Sequence, residues 1–468
     1  MRTSANARTG FRRAASRALT AMAAAGALQV VAPAPAEAQR ISFIRDTEIE
    51  ELLKDYARPI FRAANLGSDR VAMRIVNQDV FNAFVIDGRN VYINTGALLE
   101  SPTPNQVIGV IAHEVGHISG GHLAALRARI AQDQTKCLLF QILGVGLMVA
   151  GGGGQTSGAG AGVMAGGCSI VERSLLAERR AQESAADQAG LAYLNATRQS
   201  GRGLLETFER FAQQEFLSEA SQDAFARSHP VAANRLAQLR SAVQKSAFAN
   251  ERDPAPLQLR HDLMRAKLRG FCRPRLDVVR EYPVANTSLP ARYARAIANS
   301  CTGNCSGRCP SVTPAGLEEI DALIKSEPKN PYFWELKGHV LMTSGRQGEA
   351  VEPIRKAIAL SPNTAFMSVR LAEALLQSRG LPGADEAIGL ARKSIEKDPS
   401  PEAYSVLANA YAKKDLLPQA EYATAEAHFL SGNVKDAQIF AKRALRGLKH
   451  GTPEAIRAGD IVNYKIKS

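Results

Sequence analysis

Residues 111–122 read IAHEVGHISGGH and contain His113-Glu114-Val115-Gly116-His117. At 3.6 residues per turn, side chains four apart share one helix face, so both imidazoles can reach one tetrahedral zinc while Glu114 faces an attacking water. The bland alternative, a chance HExxH on a solvated helix, fits poorly here. Apolar residues recur at helical spacing from 106 onward and put the motif on an apolar helix.

Catalytic zinc usually takes three protein ligands and keeps a fourth position open. His122 lies about 900° around a continuous helix from His113, half a turn out of phase, so it shares the metal only if the helix breaks at Gly120-Gly121. The better third ligand is Glu183 in QESAADQAG (182–190). Asp187, four residues on, shares its face and is placed to hold a ligand imidazole through the other ring N–H. Ser184, Ala185 and Ala186 are small enough for the close helix approach a metal site requires. The competing reading takes Glu172, Glu178 and Glu183 as solvated helix carboxylates.

Upstream of the motif the apolar period changes. Ile49, Leu52, Leu53, Tyr56 and Ile60 mark a helix over 46–66, ending near Gly67. Val71, Met73 and Ile75 alternate, and two short apolar runs flank Asp87-Gly88, which predicts a β-hairpin. Downstream, 11 of the 24 residues from 144 to 167 are glycine, which argues against a regular packed element there. Helix resumes near Ile170, runs to about Leu194, and further helices continue to about Gln244.

Two prolines in a polar setting at 251–256 read as a domain boundary. Beyond it Pro328, Pro362 and Pro399 recur at spacings of 34 and 37, each closing one helix and opening the next. That is the period of a tetratricopeptide helix pair, and Leu381-Pro382-Gly383 accounts for the longer gap. Gly338, Ala350, Ala357, Ala372, Ala387 and Ala408 stand where paired helices need small residues. An irregular earlier unit begins near Ala291, its turn enlarged by cysteines.

The chain has 468 residues, 45% hydrophobic and 22% charged, which excludes wholesale disorder and a collagen-like repeat. Arg2, Arg8, Arg12, Arg13 and Arg17 precede an Ala-rich apolar stretch and Ala36-Glu37-Ala38, the pattern of an export signal at 1–38. Removing its five Arg and one Glu lowers the formal charge from +13 to +9. The remaining basic residues are scattered along helices, so nucleic acid is not an expected partner, while peripheral contact with an anionic membrane stays open. Export makes disulfides the expected state of Cys137, Cys168, Cys272, Cys301, Cys305 and Cys309. The three-residue gaps of CTGNCSGRC suit a metal knuckle poorly. A Cys137–Cys168 bond closes the glycine-rich segment, worth roughly 3–4 kcal/mol in the chain-entropy picture.

HEVGH, Glu183 to Asp187 as ExxAD, NAFV (82–85) with its hairpin, NTGALL (94–99), SHPVAANRL (228–236) and the repeat tail occur in an order that resembles the BepA-like zinc metallopeptidases of the bacterial periplasm. These are gluzincins related to the HtpX and CAAX-prenyl proteases. The resemblance implies a mainly α chain: a signal peptide at 1–38, a gluzincin metallopeptidase domain of helices plus a small β-hairpin at 39–250, and an α-solenoid of tetratricopeptide repeats at 251–468. It implies one zinc on His113, His117 and Glu183, with Glu114 as general base. It places His229 and Arg235 near the site, either to stabilise an oxyanion or, for His229, to fill the open zinc position and silence the enzyme. The implied activity is endoproteolysis of unfolded or misassembled proteins in outer-membrane quality control, with the repeats engaging the assembly machinery.

Substrate is expected to pair in extended form with Val91, Tyr92 and Ile93 of the hairpin edge. The apolar run 138–150 is too short to span a bilayer and reads equally as a lid, a membrane-touching flap or a core helix. A chaperone or scaffold in which the peptidase fold mainly holds the client is the competing function. A cell-wall hydrolase would need a glycan-binding module, and none is recognisable.

Overall fold

The computed structural model describes residues 42–67, 71–150, 156–212, 214, 221–230, 232–301, 305, 307–309 and 312–465. The side chains of 144–150, 156–162, 164 and 165 are not described, and the export signal at 1–38 lies outside the described residues. A two-residue strand β1 (Phe43–Ile44) leads into helix α1 (Thr47–Ala63). The Asp46 side chain caps α1 by accepting from the Ile49 N–H at 3.0 Å, and Glu48 and Glu50 favour the positive end of its dipole. Ile49, Leu52, Leu53, Tyr56 and Ile60 form its buried stripe, matching the expected helix.

Strands β2 (Ala72–Val76), β3 (Ala83–Asp87) and β4 (Asn90–Asn94) complete a four-stranded sheet of order β1-β2-β4-β3. β3 and β4 make the expected hairpin, with an irregularity between Val85 and Asp87. β4, however, also pairs in parallel with β2, Met73 facing Val91 and Ile75 facing Ile93. Val91, Tyr92 and Ile93 are therefore interior to the sheet, and their backbone groups are engaged on both sides. The edge open to an extended peptide belongs to β3, which corrects the expected substrate strand.

Helix α2 (Thr95–Glu100) is followed by α3 (Pro104–Ser119), which carries HEVGH and is buried from Val107 to His117. Pro104 starts α3 at a position where the missing N–H costs nothing. Gly120 ends it, and Gly121, at φ 64°, turns the chain. Helices α4 (His122–Ala150) and α5 (Thr156–Ala196) then form an antiparallel arm joined by the Cys137–Cys168 disulfide. The glycine-rich stretch is thus largely helical, contrary to expectation. Close packing explains this: a methyl group at Gly167 would lie 2.3 Å from the Phe140 ring, so glycine lets the two helices touch. Helices α6 (Arg202–Phe211), α7 (Ala224–Ser228) and α8 (Ala233–Lys245) close the core around Phe208, Phe211 and Phe225.

Helix α9 (Ala255–Cys272) serves two cores at once. Met264 and Leu268 join the core of Ile49, Val110 and Phe208, whereas Leu263 and Ala266 join one built on Tyr293, Ile297 and Phe333. His261 on α9 is fully buried between the Tyr56 hydroxyl (2.9 Å from Nδ1) and the Ser101 carbonyl (2.7 Å from Nε2). Because the carbonyl can only accept, the ring proton sits on Nε2 and Tyr56 donates to Nδ1.

Helix pairs stack beyond α9: Pro331–Thr343 with Gln347–Leu360, Ala365–Arg379 with Ala384–Lys397, and Pro401–Lys413 with Leu417–Leu430. Pro328, Pro362 and Pro399 lie in the links between pairs, and a 3-10 turn at Leu381–Gly383 takes up the extra residues. Cys272–Cys305 and Cys301–Cys309 are disulfides that tie the irregular first turn to the end of α9. Among the described residues no helix is long and apolar enough to cross a membrane.

Candidate metal centre

The site forms where α3 and α5 come unusually close. A methyl group at Gly116 would sit 2.7 Å from the Ala186 carbonyl oxygen, so only glycine between the two motif histidines allows this contact. The approach brings Glu183 against both imidazoles: His113 Nε2 lies 3.4 Å from Glu183 Oε2, and His117 Nε2 lies 3.3 Å from Oε1. The two His Nε2 atoms are 3.1 Å apart. His229, at the end of α7, places Nδ1 3.2 Å from His113 Nε2 and 3.1 Å from Glu183 Oε2.

These separations test the fit of a metal. Bonds of 2.0–2.1 Å to a tetrahedral zinc put neighbouring ligand atoms about 3.3 Å apart. The ligand atoms of His113, His117, Glu183 and His229 have the chemistry and nearly the spacing of such a corner set. Glu114 gives a second indication, for it is fully buried and neither carboxylate oxygen makes a hydrogen bond, although Oε1 lies 3.3 Å from His229 Nε2. A buried polar group without a partner is costly unless a ligand or water meets it.

Electrostatics divides the two glutamates. Burial pushes the Glu114 carboxyl up to about 7, with the charge of Glu183 adding to it and His229 and Arg235 opposing. Burial also acts on Glu183, but His229, His113 and His117 outweigh it and hold that carboxyl well below its ordinary range. Burial lowers His117 to about 4, which keeps its ring neutral and its nitrogen free to ligate.

Behind the site, His113 Nδ1 lies 2.9 Å from Asp187 Oδ1, off the alignment of a good hydrogen bond. Arg235 grips both Asp187 oxygens, with Nη2 2.8 Å from Oδ1. Its Nη1 donates to the Pro230 carbonyl at 2.8 Å and lies 3.1 Å from Glu183 Oε2. The guanidinium also stacks over Phe208, 4.7 Å from the ring centre. Arg235 is therefore directed at the carboxylates and not at the cleft, which corrects its expected role as an oxyanion donor.

His122 is the residue that sequence reasoning undervalued. The helix does break at Gly120-Gly121, and the turn returns His122 so that its Nδ1 lies 3.1 Å from His117 Nδ1. It stands outside the four-residue cluster but orients one member of it. The only sequence signal was the Gly-Gly pair itself. The cleft, about 150 Å³, is lined by Phe84 and Val85 of β3, by Glu114 and His117, and by Leu123, Leu126, Arg179 and Gln182 from the arm.

A buried HExxH helix meeting a glutamate from a second helix, in this fold, defines a zinc metallopeptidase. Residues 44–243 match the family described as Peptidase family M48. The chain is similar to the "Beta-barrel assembly-enhancing protease" of Escherichia coli (strain K12), 24% identical over 394 residues, covering 82% of this chain and 76% of the relative. The protein of that name from Yersinia pestis is 23% identical over 409 residues, covering 84% and 79%.

Proposed function

We propose that this chain is an exported, periplasmic zinc endopeptidase that removes misfolded or stalled proteins during outer-membrane protein assembly. The observation that carries the reading is the convergence of His113, His117 and Glu183 beside a buried, unpartnered Glu114. The relatives' shared name, a protease that enhances β-barrel assembly, supports the cellular setting. The helix pairs of 251–468, read as tetratricopeptide units, are the natural surface for engaging the assembly machinery, with the peptidase domain at 39–250.

Zinc held by His113, His117 and Glu183 supplies Lewis acidity toward water and the scissile carbonyl. Glu114 takes the attacking water's proton and passes it to the leaving amine, a role suited to a carboxyl that titrates near neutrality. Asp187 stands behind His113 and His122 orients His117, while Arg235 balances the two carboxylates. The β3 edge receives the peptide backbone, and such pairing selects extended chains over any one sequence.

His229 acts as a gate in this reading. Its Nδ1 stands where a fourth ligand would, so the 224–230 segment must move before water and substrate enter. The competing scaffold function is separated by one experiment on the full mature chain. Glu114→Gln should keep zinc and lose cleavage of an unfolded protein; cleavage retained at the wild-type rate would overturn the assignment.

A further inference from the structure

The root of the α4–α5 arm serves the metal site and the cleft, but the part of the arm beside the disulfide is not explained by the peptidase chemistry. Near its disulfide it exposes large apolar side chains: Leu138, Leu139, Ile142 and Leu143 on α4 are each more than half exposed, as is Ile170 on α5. The α4 positions follow i, i+1, i+4, i+5 and so share one face. We propose that this arm docks the protein on an anionic lipid surface, the exposed apolar side chains beside its disulfide entering one leaflet of the bilayer.

Three observations select lipid as the occupant. First, the 35 residues from 137 to 171 contain no charged side chain, whereas Lys136 and Glu172-Arg173 flank them immediately. The Cys137–Cys168 bond sets the two helices side by side, and Arg129 Nη2 donates to Ser174 Oγ at 2.6 Å one level further back. Charge therefore ceases at nearly the same height on both helices, within about one turn. A flat water–hydrocarbon boundary demands such a level edge, and a protein-binding face does not.

Second, the charged half is basic. Between residues 123 and 182, Arg127, Arg129, Lys136, Arg173, Arg179 and Arg180 outnumber Asp133, Glu172 and Glu178, while Glu183 and Asp187 lie deeper on α5 at the metal site; Asp133 is already paired with Arg129 and Lys136. An apolar end behind a basic collar is the pattern of an interfacial anchor on anionic headgroups. Third, the length suits one leaflet. From Cys137 to Ala150, α4 extends roughly 21 Å, short of the ~30 Å hydrocarbon core.

The docking bears on the active site because the arm's root walls the cleft through Leu123, Leu126, Arg179 and Gln182. Leu126 lies 12 residues below Leu138, so the catalytic cleft would stand about 18 Å from the apolar zone. Clients stalled at the membrane surface fall within that reach.

The test uses the oxidised, zinc-loaded mature chain in flotation with vesicles of phosphatidylcholine alone or mixed with phosphatidylglycerol. Wild type should float with the phosphatidylglycerol vesicles, and the L138D/I142D double variant should lose at least about 10-fold of that partitioning. Both should cleave a short soluble peptide equally, which shows the variant is folded. The indole fluorescence of a Leu139→Trp variant should be quenched by brominated lipid. Four results would overturn the proposal: absence of wild-type flotation, equal flotation of the double variant, equal binding to both vesicle types, or fluorescence of the Leu139→Trp variant that brominated lipid leaves unquenched. Loss of unfolded-client capture by the double variant with flotation intact would assign the arm to protein and equally sink it.

Discussion

Gly116→Ala tests whether the site depends on the contact between α3 and α5. The new methyl would meet the Ala186 carbonyl oxygen at 2.7 Å and its Cα at 2.9 Å, where ordinary contact begins near 3.4 Å. Both obstacles are backbone, so no side chain can swing away, and the helices must part by about 0.7 Å at this level. Ala186 lies between Glu183 and Asp187, so both carboxylates move with it. Zinc–ligand distances tolerate only about 0.2 Å. The expected result is zinc affinity lowered at least about 10-fold, with about 1–3 kcal/mol lost from folding stability through overpacking. Competition against a chromophoric chelator measures the first and denaturant unfolding of the zinc-free chain the second. Wild-type values in both would refute the claim that this glycine sets the ligand geometry.

His229→Ala should raise cleavage of an unfolded substrate while zinc stays bound; a fall of about 10²-fold would instead make His229 an oxyanion donor, and an unchanged rate dismisses both roles. Glu183→Ala should lose most of the bound metal, whereas His122→Ala should keep the site and weaken it about 10- to 100-fold, as for an outer partner. Equal metal content in wild type and Glu183→Ala would end the ligand assignment. Acid should destabilise the fold through His261, which burial lowers to about 4. The unfolded ring, near 6.5, takes its proton first, so the stability it lends is present above about 6.5 and is lost as pH falls toward 4, on the order of 3 kcal/mol. His261→Gln should flatten the thermal stability profile across that window; an unchanged slope rejects the account.

Local periodicity carried much of the site. His113, Glu114 and His117 are related by one helical turn, Glu183 and Asp187 by another, and the small residues at 184–186 announce the close crossing that joins them. What depended on distant pairing was hidden. β4 is flanked by β2 as well as β3, and parallel pairing leaves no turn in the sequence to mark it. Arg235 is turned from the cleft by Asp187, 48 residues away, a distance no motif encodes. The glycine-rich helices ran against propensity because the contact between Phe140 and Gly167 is tertiary. His122 hinged on a single left-handed glycine, Gly121, whose backbone angle is invisible in composition.

The sharing of α9 sets an order of events as the chain emerges from its N-terminal end. Residues 42–245 come first, yet their core still lacks Met264 and Leu268, and the Tyr56 hydroxyl still lacks His261. Until 255–272 have emerged, the nascent peptidase holds an apolar gap and a buried phenol with no acceptor, and domains that emerge early complete themselves only when their last packing element arrives. The packing of 42–245 is thus finished by the same helix that opens the helical array, so neither part of the chain can complete its core while α9 is missing.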